Sequence, residues 1–157
     1  MGDTMFKQTR RWKLLSALTF ALAASGASAS MNEVVVDGIQ VEFGVMSAEP
    51  LRGYPLGSVE ATMHGGVPKG EGQYHVNVSL FDAATHAPIT DARVEAEMDQ
   101  AGFAPIRKPL ELMKAYGGAS YGNYFHVTGR APYTVTVRVR KAGALHVTEA
   151  KFRSESD

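Results

Sequence analysis

Methionine and histidine are the residues of this chain best suited to metal chemistry, because it contains 5 His, 7 Met and no Cys. The stretch "MHGGVPKGEGQYHV" places Met63 beside His64 and reaches His75 across a Gly-rich segment that can turn the chain back on itself. Thioether sulfur and imidazole nitrogen together suit copper, above all Cu(I). The segment therefore predicts a metal site, with a copper ion as the favoured cofactor.

Further candidate ligands lie on both sides of this segment. Met46 falls off the apolar face of its predicted strand, and Glu49 follows it in "VMSAEP". A carboxylate such as Glu49 would make Cu(II), iron or manganese acceptable as well. Met113 and His126 flank a Gly-rich turn, and they would converge if their two strands form a hairpin.

Each candidate also has an ordinary structural explanation when it is taken alone. Met63 can fill a gap in the core, as flexible methionine side chains often do. His64 can cap a turn, and His75 can be a surface residue of its strand, exposed or facing whatever the Gly-rich loop covers.

Short β-strands are the elements that must position these side chains. "IQVEFGVMS" and "QYHVNVSLFD" alternate apolar and polar residues, with His75, Asn77 and Ser79 on the polar face of the second run. Gly and Pro punctuate a series of further short runs, which predicts an all-β, immunoglobulin-like β-sandwich of about seven or eight strands. The long region Ala48–Gly72 lacks periodicity, and loops of this length are usually functional or mobile.

The start of the chain resembles an export signal. Basic residues precede the apolar run "LLSALTFALAA", and "ASA" then fits a cleavage site, which predicts a signal peptide over 1–29, a single domain over 30–157 and a periplasmic location. "TRRWKLL" is also similar to a twin-arginine signal. Cleavage would leave 12 basic and 15 acidic residues, a net charge of −3 that disfavours nucleic-acid binding. An exported chain without Cys has no disulfides and no thiolate ligands.

Hydrolytic chemistry finds little support in the sequence. Ser120 lies in "GASYGN", which is not a G-x-S-x-G nucleophile elbow. Glu95 and Glu97 share one strand face and are best interpreted as solvated. We therefore expect a binding protein rather than an enzyme.

Four stretches taken together resemble the periplasmic iron-transport-associated proteins, small immunoglobulin-like proteins that bind copper and assist iron uptake. The stretches are "VMSAEP", "ATMHGG", "LMKAYGGASYGNYFHV" and "APYTVTVRV". By this resemblance, Glu49, His64 and Met113 match metal-site positions. The family's turn histidine is replaced by Ser120, so that His126 or His75 substitutes for it, or the site is altered or lost. The chain is also similar to the broader YtkA-like group of secreted β-sandwich modules.

Two hypotheses of different classes follow. The first is an exported carrier of copper, or of iron, that serves as an accessory to a membrane metal transporter. Its ligands would be drawn from Met63, His64, Met113, Glu49, Met46, His75 and His126. The second is a metal-free interaction module that docks to another envelope protein through an edge strand or the Gly-Pro loop. Either protein is soluble after signal cleavage and could form a homodimer.

Overall fold

Eight antiparallel strands form the part of the chain that the computed structural model describes, residues 32–115, 117–129 and 132–154. They are β1 (Asn32–Val36), β2 (Ile39–Ser47), β3 (Gln73–Asp82), β4 (Arg93–Gln100), β5 (Ile106–Ala115), β6 (Gly118–His126), β7 (Tyr133–Arg140) and β8 (Thr148–Ser154). The prediction of an all-β fold with seven or eight strands is confirmed, and the immunoglobulin-like arrangement stays a prediction. The predicted signal peptide lies outside the described residues.

The strands follow one another in a single nearly closed sheet, in the order β1-β2-β3-β6-β5-β4-β7-β8, with β1 and β8 in contact. β5 joins the two halves, because its first half pairs with β4 and its second half, from Glu111, pairs with β6. Pro109 lies just before this change of partner, and it has no N–H to donate to a neighbouring strand. The Asn123 side chain donates instead to the Pro109 carbonyl, at 2.8 Å.

The core lies between the inner faces of the two halves of the sheet. Phe43 of β2 stacks on Phe152 of β8 with 4.6 Å between ring centroids. Alternate residues of β3 and β7 are at most 2% exposed: Val76, Val78, Leu80, Val135, Val137 and Val139. Burial of each such side chain stabilises the fold by about 1.5–3 kcal/mol. The fold is therefore held by residues other than the candidate ligands.

The segment Ala48–Gly72, here called the lid, crosses the outer face of the sheet between β2 and β3. It contains a 3₁₀ turn at Pro50–Gly53, the single-turn helix α1 (Val59–Thr62) and a 3₁₀ turn at Met63–Gly65. Ser58 caps α1 by accepting a hydrogen bond from the Ala61 N–H. None of the helices in the described ranges has the length and apolar character of a membrane span.

Apolar contacts join the lid to the sheet, and polar contacts within the lid fix its shape. Leu51 is 5% exposed and packs with Tyr124 of β6, and Val67 packs against the same small cluster. The guanidinium of Arg52 donates to the Pro68 carbonyl at 3.1 Å and to the Gly70 carbonyl. The lid is thus an ordered cover over the polar face of β3, which explains why His75 on that face is buried.

Candidate metal centre

Three donor atoms meet beneath the lid. The Nε2 of His64 lies 3.2 Å from the Nε2 of His75 and 3.1 Å from the Sδ of Met113. These residues come from the lid, β3 and β5 respectively. Two nitrogens bound at about 2.0–2.1 Å to one tetrahedral ion would be about 3.3 Å apart. The separation of the two imidazole nitrogens therefore matches that of ligands that share one metal ion.

An unusual backbone conformation directs His64 towards the sheet. His64 has φ 54° and ψ 31°, and Gly65 and Gly66 follow with φ of 80° and 104°. A left-handed conformation costs a non-glycine residue about 1–2 kcal/mol. Such strain is concentrated at functional sites, where the surrounding structure maintains it. Here it places an imidazole that is only 2% exposed against the outer face of β3 and β5.

Glu111 fixes the protonation of the His64 ring. The Nδ1 of His64 lies 3.0 Å from Oε2 of Glu111, which is two residues before Met113 on β5. An ionised carboxylate only accepts hydrogen bonds, so Nδ1 carries the proton and donates it. In the neutral ring, Nε2 is then the bare nitrogen that faces the cluster. Metal-binding histidines almost always have such a partner on the other ring nitrogen.

His75 is held in its neutral form. The residue is 5% exposed. Burial, and secondarily the charge of His64, lowers the pKa of His75 to about 4 from its usual 6.5. A metal ligand must be deprotonated to bind. His75 is therefore ready to act as a donor throughout the neutral range.

This low pKa predicts an acid sensitivity. Between pH 6.5 and pH 4 the unfolded chain takes up a proton on His75 and the folded protein does not, so the stabilisation present above pH 6.5 is lost as the pH falls towards 4. The full loss is roughly 3 kcal/mol, since one pKa unit corresponds to about 1.4 kcal/mol.

Urea unfolding of the metal-free protein at pH 7 and pH 4.5 measures this loss of stability. His75→Leu should flatten the dependence, whereas a variant of the exposed His126, His126→Gln, should retain it; equal slopes in all three proteins would contradict the assignment.

Tyr124 forms the wall behind the two imidazoles. Its ring centroid lies 5.1 Å from that of His75 and 5.7 Å from that of His64, in the second case edge to face. Burial raises the pKa of Tyr124. Its hydroxyl is buried with no hydrogen-bond partner in the described part of the chain. The wall therefore separates the donors from solvent on the β6 side.

Gly122 provides the space into which the cluster fits. A Cβ at this position would lie 2.6 Å from Cε of Met113, 2.8 Å from Nε2 of His75 and 3.0 Å from the Val76 carbonyl oxygen. Real Cβ atoms essentially never come within 3.0 Å of such neighbours. Gly122 lies between Asn77 of β3 and Glu111 of β5 in the sheet register. The missing side chain is thus a requirement of the cluster.

The structure brings together three of the seven predicted ligands, His64, His75 and Met113. Met46 is the register partner of His75 across β2 and β3 and is 43% exposed, so it lies beside the cluster at the surface. Among the described residues, no hydrogen bond or ring contact joins the other three predicted ligands to the cluster donors: Met63, Glu49 and His126.

The predicted convergence of Met113 and His126 is wrong. β5 and β6 do form a hairpin, but its register places Met113 opposite Ser120. His126 is six residues farther along β6, roughly 20 Å away at about 3.3 Å per residue. There it pairs with Gln73, whose side chain lies 3.3 Å from its ring nitrogen. His126 therefore does not supply the second imidazole, which is that of His64 in the lid.

Three residues around the cluster were not predicted as part of it: Glu111, Asn77 and Gly122. Strand alternation was the available signal for two of them, since Glu111 is two residues from Met113 and Asn77 two residues from His75. A glycine inside a strand often marks a close approach of other groups. No group of three or more His, Asp or Glu side chains suited to a metal occurs within the described ranges, because the third donor here is sulfur.

The comparisons with known proteins identify the fold. No protein-family model and no curated protein sequence matches the chain. A DUF4426 family protein from Pseudomonas aeruginosa matches in structure with a TM-score of 0.58 and 15% identity, over 81% of this chain and 96% of that one. A copper-bound variant of FetP from uropathogenic Escherichia coli matches with a TM-score of 0.61 and 10% identity, over 82% and 95%. Copper-reconstituted P19 from Campylobacter jejuni matches with a TM-score of 0.55 and 12% identity, over 80% and 92%.

These TM-scores establish a shared fold. The resemblance drawn from the short sequence motifs is confirmed at that level, because FetP and P19 are among the structures that match.

Proposed function

We propose that this protein binds a copper ion as cargo, as a periplasmic carrier or as an accessory to a membrane transporter of copper or iron. The observation that supports this most strongly is the meeting of His64, His75 and Met113 at about 3 Å beneath the lid. The Glu111 carboxylate on the far side of the His64 ring adds to it. Two imidazoles and a thioether form a ligand set that suits copper better than iron.

The fold supports the copper assignment. FetP and P19 were both crystallised with copper, and FetP was produced in the periplasm. An immunoglobulin-like arrangement of the sheet and export by the signal at 1–29 belong to the same proposal. The protein then acts by binding and release rather than by catalysis.

The partner in this proposal is a membrane metal transporter or another protein of the cell envelope. A homodimer is compatible with the same role. The competing hypothesis is a metal-free module that docks to an envelope protein, and a metal titration separates the two.

Titration of the protein purified from the periplasm with Cu(I), against a competing chelator, tests the proposal. We expect one tightly bound ion per chain with a submicromolar dissociation constant, which corresponds to a binding free energy of about −8 kcal/mol or more negative. Met113→Leu removes the sulfur while nearly preserving volume, so the fold should survive and Cu(I) affinity should fall by about tenfold or more.

Met98→Leu is the matched control, because Met98 is 3% exposed in the core and belongs to β4. Its Cu(I) affinity should equal that of the unmodified protein. Weak binding that is the same in all three proteins would exclude the carrier function and favour the docking module.

A further inference from the structure

The amide oxygen of Asn77 is a buried acceptor without a partner. Oδ1 of Asn77 makes no hydrogen bond to any residue that the structure describes. Leaving such an atom unpaired costs a folded protein about 1–3 kcal/mol. Native proteins contain few of these atoms, and a bound ion is one of the partners that satisfies them.

Asn77 lies next to the three donors in the sheet. It follows His75 by two residues on β3, so both side chains project from the outer face. Its register partner on β6 is Gly122, and the space left by that glycine is occupied by His75 Nε2 and Met113 Cε. Directly opposed residues of antiparallel strands have Cβ positions about 4.5–5.5 Å apart. The sheet register therefore places Asn77 next to the cluster.

We propose that Asn77 supplies an oxygen ligand that completes the copper site, and that the resulting uncharged ligand set selects Cu(I) over Cu(II). This inference rests on the proposed function. Two neutral imidazoles, a thioether and an amide carbonyl bring no negative charge to the ion. Glu111 does not alter this, because its carboxylate engages Nδ1 of His64 and not the cluster side of the ring.

Burial and ligand softness both favour the monovalent ion. The penalty for desolvating an ion rises with the square of its charge, so a divalent ion in a buried neutral site needs far more compensation. Thioether sulfur is a soft ligand that selects Cu(I). In this site the ion becomes the partner of the Asn77 oxygen. The amide adds no charge, so the preference for Cu(I) is kept.

Two substitutions of Asn77 separate the role of its oxygen from that of charge. Asn77→Leu keeps the shape and removes the oxygen, and we expect Cu(I) affinity to fall by about tenfold, within the range found for groups that support a metal site. Asn77→Asp adds a carboxylate, and we expect Cu(II) affinity to rise by about tenfold or more while Cu(I) affinity changes by less than about threefold. Ser79→Ala, two residues farther along the same face, is the matched control and should change neither affinity.

Thermal unfolding of the metal-free protein provides a readout that does not depend on copper affinity. Without metal, Asn77→Leu should melt no lower than the unmodified protein, because it removes an unpaired acceptor. With Cu(I) present, the same variant should show a smaller rise in melting temperature than the unmodified protein. A residue that merely fills space would not produce this reversal.

The outcomes distinguish this inference from the proposed function. If the unmodified protein binds Cu(I) tightly and Asn77→Leu binds it equally well, Asn77 is not a ligand and the carrier function stands. Equal affinity of the unmodified protein for Cu(I) and Cu(II) would overturn the selectivity. If the unmodified protein binds no copper, the proposed function fails, and this inference with it.

Discussion

Copper(I) at about one hundred times its dissociation constant should raise the free energy of unfolding of this protein by about 2.7 kcal/mol, and His64→Asn should remove most of that increment. His64 is the only donor of the cluster that belongs to the lid, so the ion links the lid to the sheet through this ring. Asparagine tolerates the left-handed backbone of position 64, so the substitution removes the imidazole without adding strain. Urea unfolding with and without Cu(I) measures the increment.

His126→Asn is the matched control for this experiment. His126 is exposed and lies beside Gln73. Its loss should leave the copper increment unchanged. Without metal, His64→Asn should lower the free energy of unfolding by about 1–3 kcal/mol, because the ring that it removes is only 2% exposed and hydrogen-bonds to Glu111, and the copper increment is measured relative to this value. If His64→Asn kept the full copper increment, the lid would supply no ligand to the site.

Gly122→Ala should destabilise the metal-free protein by about 1–3 kcal/mol and weaken Cu(I) binding by about tenfold or more. The added methyl group would overlap Met113 Cε and His75 Nε2, and the Val76 carbonyl leaves it no room to move. The expected direction is opposite to the usual one, since replacing a strand glycine by alanine normally stabilises by about 0.5–1 kcal/mol.

Gly44→Ala supplies an unusually close control. Gly44 and Gly122 are the two register partners of Asn77, one on each side, in β2 and β6. A Cβ at Gly44 would meet nothing within 4 Å. Gly44→Ala should therefore unfold at the same urea concentration as the unmodified protein or a higher one, with unchanged copper affinity. The same destabilisation in both variants would show that strand glycines, and not the cluster, account for the effect.

The strands that carry the ligands were predictable because side-chain alternation has a strict period of two. The predicted runs "IQVEFGVMS" and "QYHVNVSLFD" coincide with β2 (Ile39–Ser47) and β3 (Gln73–Asp82). Alternation also placed His75 on the polar face. It did not determine whether that face was exposed, because burial depends on a lid that lacks periodicity of its own.

The hairpin register and the second imidazole were beyond the reach of the sequence pattern. A Gly-rich turn after Met113 indicated a hairpin, but the identity of its partner, Ser120, depends on the turn geometry. His64 was a predicted ligand through "MHGG". Its contact with His75, however, depends on the left-handed backbone conformation of His64, which the residue pattern does not indicate. The pairing of Glu111 with β6 begins where β5 changes partners, between Leu110 and Glu111, and sequence alternation does not indicate that change.

In the proposed carrier function, the division of the donors between the lid and the sheet would determine how fast an ion can leave. His64 moves with the lid, whereas His75 and Met113 are fixed in strands. Escape of a bound ion then requires the lid to separate from Tyr124, against which Leu51 packs. In that function the residence time would be set by lid opening, a motion of about microseconds to seconds, and a partner that draws Leu51 away from Tyr124 would speed release of the ion without touching it.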